Sequence, residues 1–325
     1  MIDALHGGIR SKSDLAIALG TKEEKLYRLL GALEALGLAT GCAENALELT
    51  ETGHLLRSDR VDSLRPLALL FAQDWHVSTW EHLADGLTLN EPAFDHFMGM
   101  PLFEYLQNSP NDRVLFDQAM DSLSTLWGPT LAGHLDLSRA TSVIDVGGGR
   151  GLFLAEILLR HPQLKGCLFD LPEAIEQARK APSLQNAISQ DRCEFAEGSF
   201  FTGFPAQADA HVMKFILHDW GDEEALKILE NSRQALEKGG ELFIVDQVID
   251  PTRESPLTRL SDIEMLLFGS GKERTAEEFT RLLERAGFML EAICETATPF
   301  SIIQATPAPA GPSTETIGRQ GVLTG

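Results

Sequence analysis

The chain has 325 residues, 43% of them hydrophobic and 23% charged, with a formal net charge of −21. That length holds two domains and a sizeable core, while the acidic balance opposes binding to nucleic acid, whose phosphates need a basic surface, and docking on anionic lipid. No apolar run approaches the ~18 residues of a membrane span, and the start, Met1-Ile2-Asp3-Ala4-Leu5-His6, lacks the basic residues and long apolar core of a signal peptide. The cysteines, Cys42, Cys167, Cys193 and Cys294, are scattered with no CxxC pair. Neither a disulfide framework nor a zinc site is expected, and a reducing cytoplasm fits.

Residues 1–60 read as a small helical unit. Ser13 to Gly20 forms a capped short helix stopped by glycine, and a second helix, about 22–36, repeats Leu26, Leu29, Leu30, Leu33 and Leu36 before Gly37. A hairpin follows, with Gly41 to Asn45 as its turn and Leu47-Glu48-Leu49-Thr50 alternating after it. Two helices and a hairpin make a winged-helix pattern, whose direct reading is DNA binding. Yet residues 1–60 hold seven Lys or Arg and nine Asp or Glu, a balance of −2, so a protein–protein role fits better. Residues 61–138 are mostly helical and carry Phe94, Phe97, Met98, Phe103, Phe116, Met120 and Trp127. Most of these are expected in the core, with a few lining a pocket.

From about residue 140 strands and helices alternate. Strands are expected at 141–146, 166–170, 193–196, 209–216 and 241–248, with helices near 151–160, 172–180 and 222–237. Alternation of this kind predicts an α/β fold with a doubly wound parallel sheet. After a last helix near 275–286, segments 288–293 and 300–304 are candidate closing strands. The divisions are then 1–138, 139–308 and a tail, 309–325, whose Pro, Gly, Ser and Thr content predicts disorder.

The first strand runs into Asp145-Val146-Gly147-Gly148-Gly149-Arg150-Gly151. A Gly-rich loop between strand and helix lets a ligand approach backbone N–H groups, although a plain glycine turn has the same composition. Leu152 stands where the dinucleotide pattern GxGxxG needs glycine, and no Lys-Ser/Thr pair follows for a P-loop. The second strand ends at Phe169-Asp170-Leu171-Pro172. An acid there can accept both hydroxyls of a ribose, or merely cap the next helix. In the fourth strand, Phe215-Ile216-Leu217 stops at His218-Asp219-Trp220. A histidine there is either a reactive group facing the cleft or a loop residue bonded to backbone. Asp222, Glu223 and Glu224 are expected in the first turn of the next helix, where acids complement its dipole, rather than in a magnesium site.

Taken together with Gly198-Ser199-Phe200-Phe201, "LHDW" and "KERT", these features resemble the caffeic-acid-type class I S-adenosylmethionine-dependent O-methyltransferases and their bacterial relatives. The likeness covers nearly the whole chain. It implies a helical winged-helix-like dimerisation domain, a Rossmann-like sheet with its last strand antiparallel, S-adenosylmethionine as cofactor, no metal, an aromatic or polyketide-like acceptor, and a homodimer. By motif position, it implies that Gly147 and Gly149 meet the methionine part of the cofactor and that Asp170, with Leu171, holds the ribose. It places Ser199 and Phe200 beside the adenine and Lys214 at the cofactor's edge. His218 becomes the catalytic base, with Asp246 and Glu273 as the two acids beside it, and Phe116, Met120 and Met265 line the acceptor pocket. Three departures stand out. Ser199 replaces a common Asp, Asp246 is one methylene shorter than the usual Glu, and relatives carry a further N-terminal helix, so a shortened start is expected. Two other readings share these residues. One is a relative of the same fold that uses the cofactor for decarboxylation, hydroxylation or pericyclic chemistry; the other is a winged-helix DNA-binding regulator.

Overall fold

The computed structural model of the chain describes residues 1–41, 46–252 and 255–309. The expected hairpin turn past Gly41, Cys42 and the tail from residue 310 lie outside them. The first segment folds as helices Ile2–His6, Lys12–Leu19 and Glu23–Ala35, then a two-stranded antiparallel hairpin, Ala39–Thr40 with Glu48–Leu49. Leu5, Leu15, Leu26, Leu30 and Leu47 close its core. The cap of the second helix is Ser11 rather than Ser13, because Ser11 holds the extended backbone of a cap and its side chain accepts from Asp14 N at 3.1 Å. Leu29 and Leu36, counted in the apolar repeat, face outward.

Helices Arg65–Phe71, Asp74–Glu81, Leu83–Gly86, Ala93–Met98, Leu102–Asn108 and Pro110–Ala132 follow. Phe94 is fully buried here, but Phe97 and Phe103 are exposed rather than core. Among the described residues no helix is long and apolar enough to cross a membrane.

Seven strands then form one sheet: β1 (Ser142–Val146), β2 (Lys165–Asp170), β3 (Cys193–Glu197), β4 (Ala208–Lys214), β5 (Leu236–Asp246), β6 (Phe288–Glu295) and β7 (Ser301–Pro307). Their order across the sheet is β6-β7-β5-β4-β1-β2-β3, and β7 alone runs opposite to the other six. Each central strand feeds two cores, because side chains alternate across the pleat. Val143, Val212, Phe243 and Val245 pack with Phe153, Leu154, Ile157 and Leu158 of helix Leu152–Arg160. Ile144, Val146, Met213 and Ile244 pack with Ile228 and Leu229 of helix Asp222–Ala235 and with Phe279 and Leu283 of helix Ala276–Arg285. Each such side chain contributes roughly 1.5–3 kcal/mol on burial.

Two strand ends differ from expectation. β4 stops at Lys214 instead of 216, since Phe215 adopts a left-handed φ of 60° that no strand can hold. β5 starts earlier and stops at Asp246, and a separate pair, Val248–Ile249 with Arg274–Thr275, follows. Helix Pro256–Phe268, not foreseen from the sequence, packs back against the helices between residues 74 and 98.

Candidate active site

The parallel strands β1, β2, β4 and β5 end on one edge of the sheet, the place where open α/β sheets bind ligands. The glycine loop follows β1. Gly147 has φ 64°, a left-handed backbone that favours glycine, and a Cβ there would also push on the tip of Ile216, 2.5 Å away at Cδ1. Gly149 has φ 58° and nothing within 4 Å of a Cβ position, so its face is open. Its N–H donates to Asp170 Oδ2 at 2.8 Å, and Leu171 N donates to Asp170 Oδ1 at 2.6 Å. Asp170 is therefore no helix cap; the cap position of helix Pro172–Ala178 is Leu171. Each carboxylate oxygen of Asp170 keeps a lone pair for a hydroxyl, so the two acceptors fit the two donors of a ribose diol. Burial raises the Asp170 carboxyl, partly offset by its two backbone donors.

Beneath the loop, Asp145 is buried with Oδ2 unpartnered, and burial pushes its carboxyl up to about 7. Lys214, at the end of β4, is lowered to about 8 by burial, against the pull of Asp145, Asp246 and Asp121. Its ammonium lies 3.8 Å from the Phe215 ring centre. Arg150 of the loop pairs with Asp121 on helix Pro110–Ala132, so the helical segment touches the loop directly.

The strained Phe215 turns the chain out of the sheet into a short 3-10 turn, Leu217–Asp219, that presents His218. His218 Nδ1 meets Glu273 Oε1 at 3.1 Å, and its Nε2 lies 3.5 Å from Asp219 Oδ1. Glu273 is buried, and the same oxygen accepts from Ser261 Oγ at 2.6 Å and Gln247 Nε2 at 3.2 Å. Its backbone N–H donates to Asp262 Oδ1 at 3.0 Å. Asp246 differs from the expectation of two acids touching the histidine. It is fully buried, but neither oxygen accepts a hydrogen bond. It acts on His218 through charge alone. Burial disfavours the charged imidazole, yet Asp219, Glu273 and Asp246 outweigh it and push His218 up to about 10. Burial likewise raises Asp219 to about 6 and Asp246 to about 7.

Arg274 clamps this turn. It is almost fully buried and donates to Leu217 O at 2.8 Å, Trp220 O at 2.9 Å and Asp222 Oδ1 at 2.9 Å. Asp222, Glu223 and Glu224 occupy the first turn of their helix, Asp222 paired to Arg274 and Glu223 to Arg285. Among the described residues no three His, Cys, Asp or Glu side chains group as metal ligands.

Ser199 and Phe200 follow β3. Ser199 Oγ accepts from Phe201 N at 3.3 Å, and the rings of Phe200 and Phe201 meet edge-on 4.9 Å apart, with Trp220 against both. Phe116 and Met120 lie half-buried on the Pro110–Ala132 helix and pack against the core cluster that contains Phe94, Ala119 and Phe268. Met265, also half-buried, sits one turn past Ser261. Gln247, Ser261 and Arg274 escaped the sequence reading as site residues. Only the last carried a signal, as the Arg of "KERT".

The pattern of the O-methyltransferase domain family matches residues 80–289. The phenazine O-methyltransferase of Lysobacter antibioticus is 33% identical over 294 residues, 90% of this chain and 85% of that one. The O-demethylpuromycin-O-methyltransferase of Streptomyces alboniger is 35% identical over 309 residues, 92% of this chain and 80% of that one. The crystal structure of CalO1, a methyltransferase in calicheamicin biosynthesis in its S-adenosylhomocysteine-bound form, superposes with a TM-score of 0.84 at 32% identity, covering 94% of this chain and 90% of that one. With a sheet, glycine loop and histidine turn of this arrangement, and with likeness of that extent, the chain belongs to the O-methyltransferase domain family and is an S-adenosylmethionine-dependent O-methyltransferase.

Proposed function

We propose that His218 is the general base of the transfer and that the acceptor is a hydroxylated aromatic or polyketide-like small molecule. One contact carries the reading: Glu273 holds His218 Nδ1 at 3.1 Å at the ligand-binding edge of the sheet. With Nδ1–H donating to that carboxylate, Nε2 holds the lone pair that takes the acceptor's proton. The surrounding carboxylates also set the base strength. A phenol has a pKa near ~10 and an ordinary histidine near ~6.5, so proton transfer between them costs roughly 5 kcal/mol. The carboxylates that push His218 up stabilise the imidazolium it becomes and so narrow that gap, while the same shift means that the resting ring must first give up a proton before Nε2 can accept one. S-adenosylmethionine, when bound, supplies the methyl group on a sulfonium centre, and its charge disfavours a second cation on His218.

Asp170 and Leu171 fit the ribose, Gly147 and Gly149 the methionine part, Ser199 and Phe200 the adenine, and Lys214 the cofactor's edge. Phe116, Met120 and Met265 would line the acceptor. Residues 1–138 form, in this reading, the dimerisation and acceptor-lining unit, and 139–308 the cofactor unit. The outward Leu29 and Leu36 support a homodimer. A cytoplasmic setting agrees with Cys167, Cys193 and Cys294, all free thiols.

The test is incubation with labelled cofactor and a panel of phenols, read by mass spectrometry. S-adenosylhomocysteine is expected beside a product heavier by one methyl; a product without the added methyl points instead to decarboxylation, hydroxylation or pericyclic chemistry. His218→Ala should keep cofactor affinity and lose about 10²–10⁴-fold in turnover. Wild-type turnover in that variant would remove the histidine from the mechanism.

A further inference from the structure

Among the polar attachments of helix Pro256–Phe268, those of Ser261 and Glu264 lie one turn apart. Ser261 Oγ donates to Glu273 Oε1 at 2.6 Å and so joins the helix to the His218 site. Three residues on, Glu264 Oε1 meets His76 Nε2, and Glu264 Oε2 accepts from Trp80 Nε1 at 2.8 Å. A second histidine–glutamate pair therefore stands on the same helix as the anchor of the first. Residues three apart on a helix share a face and lie about 4.5 Å apart along its axis. That displacement is close to the width of one aromatic ring.

The setting of this pair is apolar. His76 stacks on Phe268 with centroids 4.8 Å apart, and Phe268 also meets Trp75 and Phe94. Phe94, Ala119 and Leu267 close the wall behind them without exposure. Glu264 nevertheless keeps 22% of its side-chain surface accessible, against 6% for His76. The remaining ring nitrogen of His76, Nδ1, is buried without a partner. The reachable part of the pair is thus the carboxylate, and the imidazole and the Trp80 indole fix its orientation from behind. Each oxygen of Glu264 uses one lone pair on these donors and keeps another. A carboxylate in an aromatic wall is unfavourable unless it gains hydrogen bonds there. The methyl-transfer chemistry at His218 makes no demand for it.

We propose that Glu264, oriented by His76 and Trp80, determines acceptor specificity by accepting a hydrogen bond from a second hydroxyl or an amino group on the ring, away from the methylated oxygen. Acceptors with a carboxylate at that place are rejected, because two like charges would meet with little water between them. The inference rests on the reading of His218 as the methylation centre.

The experiment uses the whole chain saturated with S-adenosylhomocysteine. Four ring-matched ligands are titrated: a naphthol, its dihydroxy and amino-hydroxy counterparts, and its hydroxy-carboxylate counterpart. Calorimetry and ligand-observed NMR read binding. The dihydroxy and amino-hydroxy ligands should bind at least about tenfold more tightly than the carboxylate, and E264Q should erase most of that preference. Affinity for S-adenosylhomocysteine should be the same in E264Q. Equal binding across the four ligands, tighter binding of the carboxylate, no binding of the donor-bearing pair, or an unchanged ranking in E264Q each overturns the anchor. So does a uniform loss of affinity for all four with a lowered melting temperature, which marks a purely structural Glu264. Failure of the wild type to bind S-adenosylhomocysteine would instead bring down the broader reading, and the anchor with it.

Discussion

Neither oxygen of Asp246 accepts a hydrogen bond, although the residue is fully buried at the tip of β5. Burial raises its carboxyl from the ordinary 3.8 to about 7, and the positive His218 only partly offsets this. A raised carboxyl weakens folding once it ionises: its contribution is neutral below the unfolded pKa and becomes a penalty as pH rises towards the folded value. Asp246→Asn should therefore stabilise the protein at about pH 8 by roughly 1–4 kcal/mol. The gain should shrink below about pH 7 and be gone near pH 4. Urea denaturation across that range checks it; a gain independent of pH would show that ionisation has no part in it. The same substitution should lower turnover, because His218 loses one of the three carboxylates that strengthen it as a base. At this scale the sequence showed residue types and local spacing. His218 and Glu273 were legible from their motifs. Gln247 and Ser261 were not, because their bonds to Glu273 span 26 and 12 residues and exist only after the chain folds.

The turn between β4 and helix Asp222–Ala235 is an element held mainly from outside itself. Phe215 enters it with a left-handed φ, which costs of order 1–3 kcal/mol. Arg274 then fastens both sides of His218 through the carbonyls of Leu217 and Trp220, and reaches Asp222 beyond. Arg274→Met removes the donors but keeps much of the bulk. It should destabilise the fold by roughly 2–5 kcal/mol, since the Trp220 carbonyl loses its Arg274 donor, the Leu217 carbonyl keeps only Trp220 N, and Asp222 loses its buried cation. Cofactor affinity, which the proposed reading assigns to the β1 loop and Asp170, should fall far less than turnover. Denaturation and S-adenosylhomocysteine titration distinguish the two effects, and equal losses in both would mean that Arg274 supports the whole sheet rather than this turn. Most elements were readable here because apolar runs stop at glycine, acid or proline, as at Val146-Gly147 and Asp170-Leu171-Pro172. The end of β4 was not, since Phe215 and Ile216 continue the apolar run that the backbone abandons. Helix Pro256–Phe268 was missed for a related reason. Leu257 and Leu260 are exposed while Leu267 and Phe268 are buried, so its leucines mark no single stripe.

Across the whole molecule two opposed forces bear on association. Ile17, Leu29 and Leu36 are 77%, 50% and 71% exposed on the N-terminal helices and the residue that ends them. Leu29 and Leu36 lie seven residues apart, which returns them to one face of their helix, away from the inward Leu26 and Leu30. The homodimer proposed above would cover these side chains. Against that, each copy carries −21, so two copies repel at long range. Salt screens the repulsion, with a Debye length falling from about 10 Å at 0.1 M to about 3 Å at 1 M, and leaves the apolar contact intact. Sedimentation velocity should therefore show a homodimer whose share grows as salt rises. A double substitution, Leu29→Glu with Leu36→Glu, should yield monomer at every salt concentration, because it removes apolar area and adds four like charges across the joint. A wild type that sediments as monomer in high salt, or a double variant that still pairs, would place any contact between copies elsewhere on the molecule.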